Sequence, residues 1–214
     1  MTSGSSQRAK PTRTVHVFEN SDPSALDIRS HPWTTGSDPS HRYVDFRTQP
    51  ELIRGALEDF RVVQGQPAVE TFYRLVEWVN GADSPFESND CALANVEVNP
   101  SSAIPTRLLV SGRLMILFRD VSQNCSRARV HALNQAIARG CADVDPDFDR
   151  AAIGLSLVEV RYRALPPPRD RGQQLMISFW VGGDELPELW QNLDRTFGNL
   201  DTALRSPLVR ACGG

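Results

Sequence analysis

The chain has 214 residues, 40% hydrophobic and 23% charged, with a formal net charge of −3. These values describe a globular domain with one well-buried core, and they exclude a global basic field that would draw it to nucleic acid or an anionic bilayer. No apolar run approaches the ~18 residues of a membrane span, and Lys10 is the only lysine, so Schiff-base or P-loop lysine chemistry would have to sit in the leading tail.

Met1 to Pro11 is polar and Ser/Gly-rich, without the apolar stretch of a secretory signal; residues 1–13 read as a flexible tail. Thr14 to Phe18 reads as a first strand. A long run of turn formers follows, through His31, Trp33 and His41, and loops of that length are usually functional or loose. Tyr43 to Phe46 reads as a short strand. Thr48 and Glu51 have capping-box spacing around Pro50, and open a helix with Leu52, Ile53, Ala56, Leu57 and Phe60 on one side. A second helix starts near Pro67, carries Val69, Phe72, Leu75, Val76 and Val79, and ends at Asn80-Gly81.

Ser84 to Cys91 reads as a polar loop, and Leu93 to Val98 as an alternating strand. Thr106 to Asp120 holds two apolar runs around Ser111-Gly112, the pattern of a hairpin with Gly112 in its turn. A third helix covers roughly Ser126 to Arg139, with Gly140 as its stop, before the acidic loop Asp143 to Asp149. Leu155 to Arg163 alternates, Val158, Val160 and Tyr162 inward and Glu159, Arg161 and Arg163 outward. Pro166-Pro167-Pro168 turns the chain out of the ladder. Gln173 to Val181 returns with Leu175, Ile177, Phe179 and Val181 inward and Met176, Ser178 and Trp180 outward. A last helix, capped by Asp184, carries the stripe Leu186, Trp190, Leu193, Phe197, Leu200 and Leu204. Residues 206–214 read as a flexible tail.

Strands come in neighbouring blocks with helices between the blocks. That order predicts a single α+β domain over 14–205, with a largely antiparallel or mixed sheet of about five to seven strands and three to four packed helices. Four cysteines without C-x-x-C spacing fit free thiols in a reducing, cytoplasmic setting.

Nucleotide-binding glycine motifs, the serine-hydrolase elbow and the zinc-protease signature are all missing. The remaining chemical candidates are few. Cys91 beside Asp90 is a candidate nucleophile, although an adjacent carboxylate raises a thiol's pKa, and a buried structural cysteine is the plainer reading. His31, His41 and Asp45 carry ligand types for a non-haem metal, against a loop packed down by Trp33. Asp143 to Asp149 alternates carboxylates as a calcium loop does, but Phe148 and Gly154 fall where that loop needs Gly and Glu. Gly213-Gly214 matches the ending of ubiquitin-like carriers on a much longer chain. Arg161, Arg163, Arg169, Arg171 and Trp180 form a candidate binding surface, because Arg and Trp are enriched at interface hot spots. The expected function is therefore an interaction or accessory protein, a regulator or non-catalytic subunit. Its partner is another protein, a small ligand or a second copy, rather than nucleic acid or membrane, with no cofactor. The alternative is a small-molecule enzyme using Cys91 or the His/Asp set under a loop.

Overall fold

The computed structural model describes residues 16–19, 29–32, 44–56, 65–100 and 103–213. Among them the strands are β1 (His16–Glu19), β2 (Arg29–His31), β3 (Phe86–Leu93), β4 (Glu97–Val98), β5 (Leu108–Phe118), β6 (Ala151–Tyr162) and β7 (Arg171–Gly183). The helices are α1 (Ile53–Ala56), α2 (Pro67–Asn80), α3 (Arg127–Val144), α4 (Leu186–Arg205) and α5 (Pro207–Arg210), with 3-10 turns at Pro50–Leu52 and Val121–Cys125. The sheet order is β1-β6-β7-β5-β3, with β2 also on β6 and β4 also on β5. β3, β5, β7 and β6 run antiparallel to their neighbours, while β1 and β2 lie parallel to β6. This is the expected single α+β domain with a mixed sheet.

The amphipathic helices form where their stripes predict. α2 starts with Pro67 in its first turn and buries Val69, Phe72, Leu75, Val76 and Val79. α4 buries Leu193, Phe197, Leu200 and Leu204, and leaves Leu186 exposed at its start.

The central hairpin does not form. β5 runs unbroken through Ser111 and Gly112, and Gly112 pairs with Phe179 in the middle of the sheet. A Cβ on Gly112 would collide with the Phe179 ring and the Ala92 carbonyl. The glycine thus serves close approach, not a turn. Gly112→Ala should cost about 1–3 kcal/mol of stability through overpacking, read by urea denaturation. Gly198→Ala, whose Cβ meets nothing within 4 Å in α4, should instead be neutral or stabilising by up to about 1 kcal/mol.

Several local expectations are corrected by tertiary contacts. The "polar loop" at Ser84–Cys91 is mostly β3, an edge strand whose register slips between Ser88 and Asp90, a bulge that frees one residue from the ladder. Its polar groups find partners elsewhere: Asn80 Oδ1 accepts Ser88 N–H at 3.0 Å, and Asn89 Nδ2 donates to Gln174 Oε1 at 2.6 Å. β3 ends at Leu93, and pairing resumes only at Glu97–Val98. α3 passes through Gly140 to Val144, because Gly140 lies against Ala203 of α4 and allows close helix packing. Val44–Phe46 leads into a turn instead of a strand. The 3-10 turn after it is capped at Gln49 without a side-chain bond, while the Thr48 hydroxyl donates to the Asp45 carbonyl at 3.1 Å. Asp184 accepts Arg107 N–H at 3.0 Å, and Glu185 takes the N-cap position of α4. Residues 207–210, expected to be part of a flexible tail, form α5 with Val209 buried.

The register of the β6–β7 pair places cores on both faces of the sheet. Leu155 pairs with Ile177 and Leu157 with Leu175, so odd-numbered residues of both strands share the face covered by α2, α3 and α4. Val160 and Tyr162 point to the other face, where they form a second, smaller cluster with Leu117 over Val121 and Cys125. The sheet also curls until its two edges touch. His31 on β2 and Glu87 on β3 belong to opposite edges, yet His31 Nε2 lies 3.0 Å from Glu87 Oε1, with both side chains buried.

Candidate functional site

One end of the protein gathers cations from two distant stretches. Arg161 and Arg171 are direct cross-strand partners at the end of the β6–β7 pair. The connecting turn carries Arg163 and Arg169, and both are exposed. The turn is held rigidly: Leu165 N–H donates to the Tyr162 carbonyl at 3.0 Å and Arg169 N–H to the Pro166 carbonyl at 2.9 Å. The Cys125 thiol donates to the Arg169 carbonyl at 3.2 Å, which ties the turn to the 3-10 segment before α3. Burial first, and then nearby Asp170, push the Cys125 thiol above its usual pKa, so it stays a protonated donor. Asp170, itself buried, holds Arg161 Nε at 3.2 Å.

The first turn of α3 adds Arg127 and Arg129 to this end. Ser126 caps the helix and Asp120 caps the preceding 3-10 turn, its carboxyl held below the usual range mainly by hydrogen bonds from Ser122. A cleft of about 240 Å³ opens between this junction and the strands, lined by Arg127, Arg171, Glu159 and Gln173 among others. The chain can cross so near the sheet because Gly172 has no side chain: a Cβ there would collide with the Asn124 carbonyl.

No family model, curated protein or solved structure matches this chain. The geometry therefore carries the functional argument alone.

Trp180 does not join the arginines. It pairs with Ala152, has its ring over Gly154, and lies on the opposite face of the sheet from Arg161 and Arg171, nine residues along β7 from Arg171. Alternation within each strand was legible in the sequence; which face of β6 matched which face of β7 was not. Trp180 shares its surroundings with Ser178 and with the Arg113–Asp90 ion pair at 3.1 Å.

Asp90 and Cys91 are also separated. They are consecutive on β3, so Asp90 faces Arg113 while Cys91 turns to the opposite face and packs against the main core. Such a pair has no shared site for nucleophilic chemistry.

His31 and Asp45 come near each other through an arginine. Arg47 Nε lies 3.4 Å from Asp45 Oδ1 and 3.0 Å from Glu87 Oε2, whose other oxygen meets His31. Burial tends to raise the Asp45 pKa, but hydrogen bonds from Arg47 outweigh it and hold the carboxyl below its usual range. His41 falls outside the described residues. Among the described residues no group of three or more His, Cys, Asp and Glu could hold a metal. The Tyr162 ring meets His31 edge-on at 5.9 Å, and burial, then Cys125 and Glu87, push its phenol far upward in pKa. It remains a neutral donor to the Gln173 carbonyl at 2.9 Å.

The acidic loop is a tether. Asp145 accepts Arg195 at 2.7 and 3.0 Å and Asn199 at 3.0 Å, fixing the loop to α4. Gly213 N–H bonds the Arg210 carbonyl at 3.1 Å, while Gly214 falls outside the described residues. Arg47 and Arg127 escaped the sequence reading, as did the pairing of Glu87 with His31 and Arg47, since each gains its role from a neighbour far away in the chain.

Proposed function

We propose that this is a non-catalytic binding protein, an accessory or regulatory partner, whose arginine-bearing end docks an acidic segment of another protein. One observation carries the reading. Arg161, Arg163, Arg169 and Arg171 are collected beside Arg127 and Arg129 on a rigid turn and helix start, in a chain whose net charge is −3. A preorganised surface loses little side-chain and loop entropy on binding. Guanidinium groups bind carboxylates bidentately, and opposite charge steers the encounter. Four free cysteines support a cytoplasmic setting, and no helix among the described residues is long and apolar enough to cross a membrane.

Arg163→Glu combined with Arg169→Glu tests the reading. Both side chains are exposed, so the melting temperature should move by no more than about 2 °C, as for ordinary surface changes. The partner retained by the wild-type protein from its own cells should be lost by the variant, and should be released from the wild type by added salt. A partner that stays bound to the variant, or captured material that proves to be nucleic acid, would refute it.

A further inference from the structure

The two ends of α3 carry opposite charges in the order that the helix's own dipole disfavours. We infer that these ends pair two copies of this chain, the arginine end of each against the acidic loop of the other.

Arg127 and Arg129 stand exposed in the first turn of α3, which holds no acidic residue. Asp143 stands exposed in its last turn, which holds no basic residue, and exposed Asp147 and Asp149 follow. A helix dipole favours anions at the N-terminus and cations at the C-terminus. The other two long helices follow that rule: Glu70 and Glu188 lie in the first turns of α2 and α4, and Arg205 in the last turn of α4. In α3 the order is reversed, which disfavours the single copy and is offset when opposite charges from a second copy meet both ends.

The 18 residues of α3 span about 27 Å, so one copy cannot join its own two ends. Two copies with α3 antiparallel, about a two-fold axis near Gln135, make both contacts at once. Ala128, Ala132 and Gln135 form the exposed line of the helix across that axis, and short side chains suit helix axes about 8–10 Å apart. Arg139, next on the line, falls opposite Ala132, which has no charge to repel it. The acidic loop is already fixed, because Arg195 and Asn199 hold Asp145. Arg127 and Arg129 interact within their own chain, Arg129 donating to Gln123 Oε1 at 2.9 Å. A guanidinium carries five N–H donors, so such contacts leave donors for a carboxylate as well. The inference rests on the docking reading for its arginine end, and makes a second copy compete with an acidic partner for that end.

Sedimentation of the pure full chain at rising concentration tests it with no partner present. The wild type should pass from one chain to two, and added salt should reverse the change. Arg127→Glu with Arg129→Glu, and separately Asp143→Arg with Asp147→Arg, should each weaken self-association at least about tenfold. The melting temperature should move by no more than about 2 °C in either variant. Mixing the two variants should restore a dimer, since both contacts then join opposite charges again. A wild type that stays monomeric at millimolar concentration would overturn the inference and leave the acidic-partner reading standing. A dimer that survives either reversal, or variants that stay apart when mixed, would also overturn it.

Discussion

Replacing Glu87 with alanine is expected to destabilise the protein by about 3–5 kcal/mol, the scale for breaking a buried network of polar contacts. Glu87 is 4% exposed and His31 6%. The carboxylate joins two edges of one sheet, reaching His31 on β2 from β3, and it also receives Arg47 at 3.0 Å. Without it, His31 keeps a buried ring nitrogen facing an empty site, and the curl of the sheet loses a buried polar clasp between those edges. Urea denaturation reads the loss. His31→Ala should cost much less in the Glu87→Ala background than alone, since groups in direct contact are not additive. Breaking Arg54–Glu70, a pair about half exposed on both sides, should cost no more than about 1 kcal/mol.

Phe179→Ala should be of similar size, about 3–5 kcal/mol. The ring is fully buried, edge-on to Phe197 at 5.1 Å and tilted against Phe72 at 6.4 Å, so it links β7 to both α2 and α4. It also occupies the space over Gly112. Gly112→Ala should therefore be better tolerated in the Phe179→Ala background, leaving only the Ala92 carbonyl to resist the added methyl group. Equal penalties in both backgrounds, from equilibrium denaturation of the four-member cycle, would mean that the ring does not fix the glycine.

Those two sites show where the sequence was legible. The stripes of α2 and α4 are local patterns with a single solution, an apolar face against a sheet, and both helices form as read. Gly112 carries the same letter whether it turns the chain or yields to a ring across the sheet, and only the position of Phe179 decides. β3 reads as a loop because its Ser, Asn and Asp residues suit turns, while their partners Asn80, Gln174 and Arg113 lie on other elements. For the site, the arginine turn could be found from composition. The separation of Trp180 from it depends on one cross-strand register, Arg161 with Arg171, set by the length of the intervening turn. Arg127 joins the turn only because the 3-10 segment before α3 crosses close over Gly172, which no local pattern announces.

The most direct test of the partner-binding account is hydrogen exchange of the chain with and without its bound partner. Protection concentrated in residues 121–129 and 161–172 is the predicted result. Protection confined to residues 109–115 and 176–182, around Arg113 and Trp180, would place the interface on the other face of the sheet and contradict the account.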